Sequence, residues 1–313
     1  MKLTQLRAAA TITAALAMAA CATAYADDAN GSEASSNSPT YVPDMGKLLA
    51  TGGVSNVEGS AGGGITPWAL IAGYGTRDSY GGNLHYTYLN TQDFRLDTFG
   101  VAVGIMDRVE LSAAKQSFSA TSGPLNGLNI DQDIYGIKVK VAGDAVYDQD
   151  SWMPQIAIGA EYKRNNGITG PLNAPVTALG AKKTSGTDYY VSATKIFLDQ
   201  SILANMTIRE TEANQMGLLG FGGDLHDNYR AEFEGSLAYL INKHWVAGVE
   251  YREKPHNLSV DNEAAYYDAF VAWFPTKNVS LTLAYANLGS IVAPVTGNSS
   301  NQSGAYLSLQ AGF

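Results

Sequence analysis

Apolar and polar positions alternate with a period of two along most of this chain. In 278–287, Val279, Leu281, Leu283 and Tyr285 oppose Ser280, Thr282, Ala284 and Ala286; in 265–274, Ala265, Tyr267, Ala269, Val271 and Trp273 oppose Tyr266, Asp268, Phe270 and Ala272. The stretch Ser303 to Phe313, SGAYLSLQAGF, puts Ala305, Leu307, Leu309, Ala311 and Phe313 on one face and Gly304, Tyr306, Ser308, Gln310 and Gly312 on the other. A period of two marks strands with one apolar face. About 9–11 residues of tilted strand cross a bilayer, so this stretch reads as the closing strand of a transmembrane barrel.

Strand-like runs separated by Gly, Asn, Asp and Ser fall at 47–57, 65–75, 81–90, 94–105, 108–118, 130–142, 152–163, 187–197, 201–210, 229–240, 244–253, 265–274, 278–287 and 303–313. The pattern predicts an all-β, antiparallel transmembrane β-barrel of 14 strands, with 47–57 closing on the terminal strand. Even-numbered runs are followed mostly by tight turns and odd-numbered ones by long segments such as 164–186 and 211–228, the periplasmic and extracellular asymmetry of outer-membrane barrels. Runs 47–57 and 65–75 are glycine-rich and poorly patterned. A 12-stranded barrel that residues 46–75 plug or line is therefore the alternative.

On most strands the charges keep to one parity while aromatic residues gather at strand ends on the other. Trp152, Trp245, Trp273, Tyr162, Tyr239, Tyr251 and Tyr285 are placed as interfacial girdles, and Lys115 and Lys195 break the rule. The inward set contains Lys138, Lys140, Glu161, Lys163, Arg230, Glu232, Glu234, Glu250, Arg252 and Asp268. With a turn centred near Asn242, Arg252 is expected opposite Glu232 and Glu250 opposite Glu234. Such a wall either screens solutes by sign or braces a filled lumen with cross-strand ion pairs. Phe313, Leu309 and Leu307 are the candidate signal for the barrel-assembly machinery.

Composition places the barrel in a compartment. Lys2 and Arg7, the apolar run Ala8 to Ala20 and the small residues of Ala24-Tyr25-Ala26 predict a cleaved signal peptide over 1–26,. Residues 27–45, rich in Ser, Asn, Ala and Asp, read as a flexible periplasmic leader before the barrel of 46–313. The single cysteine, Cys21, lies inside the signal; Met18-Ala19-Ala20 before it is a poor lipobox, and without lipidation the exported chain has no thiol chemistry,. Loss of residues 1–26 moves the formal net charge from −9 to −11, which excludes nucleic-acid binding through a basic surface. The expected location is the bacterial outer membrane, with outer-membrane lipid as a partner.

No constellation points to catalysis, a cofactor or a metal. His85, His226, His244 and His256 lack ligand spacing, His85 falls on an inward position, and no serine nucleophile motif accompanies them,. Gly62-Gly63-Gly64 is followed by no Lys-Ser/Thr pair and reads as closely packed backbone. Asp107-Arg108 reads as turn chemistry or a periplasmic contact. The leading function is a porin-like channel for small hydrophilic solutes. The alternatives are a plugged barrel that transports a hydrophobic small molecule, motivated by 46–75 and inward Phe270, and a closed structural or adhesive surface barrel.

The stretches Lys47-Leu48-Leu49-Ala50-Thr51-Gly52-Gly53-Val54, Gly62-Gly63-Gly64-Ile65-Thr66-Pro67-Trp68-Ala69 and Gly73-Tyr74-Gly75-Thr76-Arg77-Asp78 resemble an uncharacterised family of exported proteins of Gram-negative bacteria, a domain of unknown function. Gly100-Val101-Ala102-Val103-Gly104, Asp107-Arg108-Val109-Glu110-Leu111-Ser112 and Lys115-Gln116-Ser117-Phe118 are similar to its central signature. The resemblance spans nearly the whole exported chain and implies an outer-membrane barrel, with no catalytic residues to carry over.

Overall fold

The computed structural model describes residues 46–313; the expected signal peptide, leader and Cys21 lie outside the described residues. Two short strands, β1 (Val54–Ser55) and β2 (Ala61–Gly62), pair with each other. Twelve longer ones follow: β3 (Tyr80–Asn90), β4 (Phe94–Ile105), β5 (Val109–Ala120), β6 (Asn129–Ala142), β7 (Gln155–Thr169), β8 (Ser185–Phe197), β9 (Ile202–Thr211), β10 (Arg230–Asn242), β11 (Trp245–Arg252), β12 (Tyr266–Thr276), β13 (Val279–Asn287) and β14 (Ser303–Gly312). Each pairs antiparallel with its neighbours in sequence, and β14 closes on β3 from Ala305 opposite Asn90 to Gly312 opposite Asn83. Closure leaves no free edge in the ring.

The barrel therefore has twelve strands, and fourteen is corrected. Runs 47–57 and 65–75 are not staves of the wall, and 47–57 does not close the barrel. Every residue from Ala50 to Gly75 is buried, because this segment runs into the lumen and back out. A stave must show an apolar face to lipid, whereas this stretch has protein on all sides. Its glycines permit that: a Cβ on Gly63 would lie 1.9 Å from Glu250 Oε1, and one on Gly73 would lie 2.2 Å from the Gly82 nitrogen,.

The outer face carries the expected apolar parity. Val101, Val103, Tyr135, Ile137, Ile158, Val191, Val249, Val271 and Leu283 are exposed on it. Trp245 stacks on Trp273 at 5.8 Å near the short-turn end, whereas Tyr251 and Tyr267 face each other across β11 and β12 nearer the long-loop end. These aromatic rows bound an apolar belt, as in membrane barrels. Lys115 sits one cross-strand step beyond the pair Tyr135–Tyr162, level with Asp133 and Arg164, and reaches Asp133 at 3.9 Å. It belongs to the polar rim. Lys195 is covered instead: the connection after β6 folds over it, and its Nζ donates to the carbonyl of Asp148 at 2.5 Å. That connection is the long exception among the short turns.

Candidate functional site in the sealed lumen

The segment that fills the lumen has two short strands and little other regular structure, so most of its peptide groups need partners from the wall. Inward side chains supply them. Glu110 accepts from the amides of Ala61 (3.0 Å) and Ala72 (2.8 Å), and Lys138 donates to the carbonyls of Ala61 (2.8 Å) and Leu70 (2.9 Å). Glu250 accepts from the amides of Gly64 and Ile65, from the Thr66 hydroxyl and from the Ser236 hydroxyl. Pro67 presents its carbonyl to Thr207 at 2.9 Å, and Trp68 Nε1 donates to Ser236 at 2.9 Å. At the short-turn mouth Lys47 is tied to Asp107 at 2.8 Å, and Asp107 also takes Lys140 at 2.6 Å. Asp107-Arg108 is thus turn chemistry that also anchors the plug.

At the tip of the plug, Glu58 meets three cations of the wall. Arg252 NH1 lies 2.5 Å from its Oε2 and Arg209 NH2 lies 3.4 Å away, while Lys163 bonds Oε1. Arg209 also contacts Glu234 (2.5 Å), Glu161 (2.7 Å) and Asp188 (3.4 Å), and Lys163 reaches Asp188 at 2.5 Å. All seven groups are buried. Glu58, Glu161 and Asp188 converge closely enough to suggest a cation site, but the ammonium of Lys163 and the guanidinium of Arg209 already occupy the space between them. Polar groups held in low dielectric in this way are costly unless every one is partnered.

Eight of the ten expected inward charges are buried in the wall: Lys138, Lys140, Glu161, Lys163, Glu234, Glu250, Arg252 and Asp268. Arg230 and Glu232 keep the inward parity but stand at the long-loop rim, exposed and half-buried. The β10–β11 register also departs from expectation. Arg252 faces Glu234, and Glu250 faces Ser236. The strands pair about a centre at 243 rather than 242, which moves every partner by two, and the register shift between Leu240 and Asn242 adjusts the pairing by one residue at the turn,. Glu250 faces Asp268 on β12, and both Asp268 oxygens lack a hydrogen-bond partner.

Four members of the site escape the sequence reading: Glu58, Glu110, Asp188 and Arg209. The alternation of β5, β8 and β9 carries a signal for three of them, since Arg209 shares its face with Asn205 and Thr207, and Glu110 with Ser112 and Gln116. Glu58 has no such signal because the plug has no parity.

The long-loop end is closed as well. Thr211 to Gly223 is buried beneath the neighbouring loops, with Gln215 and Met216 at φ +45° and +60°, and Leu218, Leu219, Leu258, Ile291 and Val292 join Phe94, Phe118 and Ile130 in one apolar cluster. A cavity of about 30 Å³ lies in this lid, and one of about 20 Å³ lies between Trp68 and Phe270, each about the share of liquid volume of one water.

Under the lid, Lys254 Nζ donates to Gln215 at 2.8 Å and stands 3.4 Å from Glu263, with Asp261 and Arg252 nearby. Burial pushes Glu263 from 4.5 up to about 8 and Lys254 from 10.5 down to about 8. Glu263 stabilises the lid fully below pH 4.5, and that contribution is lost as pH rises to 8. The contribution of Lys254 is full above pH 10.5 and lost as pH falls to 8. The lid is therefore expected to be loosest near pH 8. Amide exchange of 211–223, corrected for intrinsic rates, should show its least protection there; protection flat from pH 5 to 10 would refute this linkage.

A closed antiparallel barrel with an apolar outer belt and a polar, plugged lumen has the architecture of transmembrane β-barrels. The chain belongs to the family described as protein of unknown function (DUF3034), whose profile matches residues 51–310. No curated protein sequence matches it. Among solved structures it is similar to the NanC porin (10% identity over 74% of this chain and 98% of that one, TM-score 0.47). It is also similar to the KdgM porin (11%, 74% and 99%, 0.44) and to outer membrane phospholipase A from Escherichia coli (9%, 74% and 92%, 0.41). At such values the functional reading rests on this chain's own residues.

Proposed function

We propose that the protein is an outer-membrane barrel serving as a gated, porin-like path for small hydrophilic solutes, closed in this conformation by its own residues 46–75. The short-turn end then faces the periplasm, signal peptide 1–26 is removed, and Leu307, Leu309 and Phe313 on β14 address the assembly machinery. The observation that carries the reading is the chemistry of the interface between plug and wall. Paired charges inside a protein add little stability over apolar packing of the same shape, so a permanent stopper has no need of Glu58, Lys163, Arg209 and Arg252. The same groups are at ease in water once the plug withdraws. The sealed lid favours a second reading, a closed structural barrel.

A crosslink separates the two. Ser55 Oγ donates to Asn83 Oδ1 at 2.9 Å across the plug–wall boundary, so Ser55→Cys with Asn83→Cys joins plug to β3 on oxidation. In planar bilayers the wild type is expected to show intermittent conductance steps, the oxidised variant none, and the reduced variant steps again. Steps that survive oxidation would mean the plug is not the gate. A wild type silent at all voltages and salts would favour the closed barrel.

A further inference from the structure

The outer wall between β4 and β9 carries two hollows, one above the other. The first, of about 560 Å³, lies at the short-turn end against Arg77, Met106, Asp107, Arg108, Lys140 and Val141. The second, also about 560 Å³, lies higher on the wall among Ile137, Val139, Ile158, Ala160, Val191 and Ile208. Outward side chains of β6 join them: Val141 lines the lower hollow, and Val139 and Ile137 line the upper. At roughly 3.3 Å per residue, Ile137 to Val141 spans about 13 Å of strand. Ala160, flanked by Ile158 and Tyr162 on the outward face of β7, leaves the upper hollow its depth.

The two hollows differ in character. The upper one is mostly aliphatic, with Tyr189, Tyr190 and Glu210 also at its wall. In the lower one, Arg77 is exposed and, among the described residues, has no hydrogen bond or ion pair within the protein, while exposed Arg108 spends one guanidinium nitrogen on the Lys140 carbonyl at 3.3 Å. The nearby acids are committed: Asp107 to Lys47 and Lys140, and Asp144 to Lys140 and to the amides of Val146 and Tyr147. Tyr80, exposed and paired with Ile105 beside this turn, places the lower hollow at headgroup depth,. Two guanidiniums with donors left over at that depth match a phosphate,.

We infer that this surface binds one anionic phospholipid of the periplasmic leaflet, its phosphate between Arg77 and Arg108 and one acyl chain running along β6 into the hollow over Ala160. The inference rests on the membrane placement proposed above. Charge complementarity selects an anionic lipid over a zwitterionic one, and the aliphatic hollow selects a lipid over free phosphate.

The test is native mass spectrometry of the full barrel released from detergent micelles, titrated with phosphatidylglycerol, phosphatidylethanolamine or inorganic phosphate. One phosphatidylglycerol per barrel should be retained roughly thirtyfold more tightly than phosphatidylethanolamine, each of the two arginines contributing about fivefold near an anionic headgroup. Arg77→Ala with Arg108→Ala should erase the preference, and Ala160→Phe should weaken retention of both lipids. Equal retention of the two lipids, an unchanged double variant, or displacement of phosphatidylglycerol by inorganic phosphate would overturn the site. Heat-modifiable mobility in gels shows that each variant is folded. A chain that fails to partition into micelles would instead overturn the membrane placement, a separate outcome.

Discussion

Deleting residues 47–75 should convert an intermittently conducting barrel into one that conducts continuously and prefers cations. Every residue from Ala50 to Gly75 is buried in the lumen, and the ring of twelve strands closes without them, since β14 pairs with β3. Removal exposes the charges of the wall. Around the middle of the bore Glu110, Glu161, Asp188, Glu234, Glu250 and Asp268 face Lys138, Lys163, Arg209 and Arg252. Lys140 stays at the mouth with Asp107 and Asp144. Six carboxylates against four cations set the sign of the field a solute meets, and clefts lined by one sign concentrate the opposite ion. Stepwise conductance in planar bilayers, with a reversal potential in a KCl gradient shifted towards that of potassium, is the expected result. A folded deletion variant that stays silent would show the lid to be a sufficient seal, and anion preference would refute the charge argument.

How far this arrangement is legible in the sequence depends on whether a segment has two different faces. Strands 94–105, 130–142 and 278–287 can be read because one parity meets lipid and the other meets the lumen, so Val139 and Lys140 cannot exchange places. The segment 46–75 has no such constraint. From Ala50 onward protein surrounds it on every side, and alternation therefore carries no information about it beyond the negative one that it makes a poor stave. Register is harder still. Whether Arg252 faces Glu232 or Glu234 depends on whether the β10–β11 pairing centres on 242 or on 243, and no side-chain pattern announces that difference.

Candidate chemistry follows the same division. The inward charges of β6, β7, β10, β11 and β12 are legible by parity, and Arg209 and Glu110 can be found by the same rule. Their partner is not. Glu58 gathers Lys163, Arg209 and Arg252 from three strands well separated in sequence, and only the path of the plug brings it to them. The wall charges read alone suggest either a solute filter or a brace. In this conformation they brace, and what they brace is a buried segment of the same chain.

Arg209→Met should produce the largest loss of stability among single substitutions in the lumen. Its side chain is 1% exposed and meets Glu58, Glu161, Asp188 and Glu234. Methionine keeps much of the volume but leaves four buried carboxylates to Lys163 and Arg252. Removing one partner from a buried ionic cluster costs about 3–5 kcal/mol, because the remaining charges are neither paired nor hydrated. Water entering around a displaced plug is the cheaper way to relieve that cost, so the variant should also stay open longer in bilayers. Arg230→Met is the control: this arginine is exposed at the rim, where a change typically falls within about 0.5 kcal/mol. Arg209→Lys, which keeps the charge and loses the fork, should lie between the two. Adding Glu161→Gln to Arg209→Met removes one uncompensated charge and should restore part of the loss. The measurements are the urea midpoint of heat-modifiable mobility in micelles and the open fraction in bilayers. If Arg209→Met matches the wild type in both, the cluster does not hold the plug.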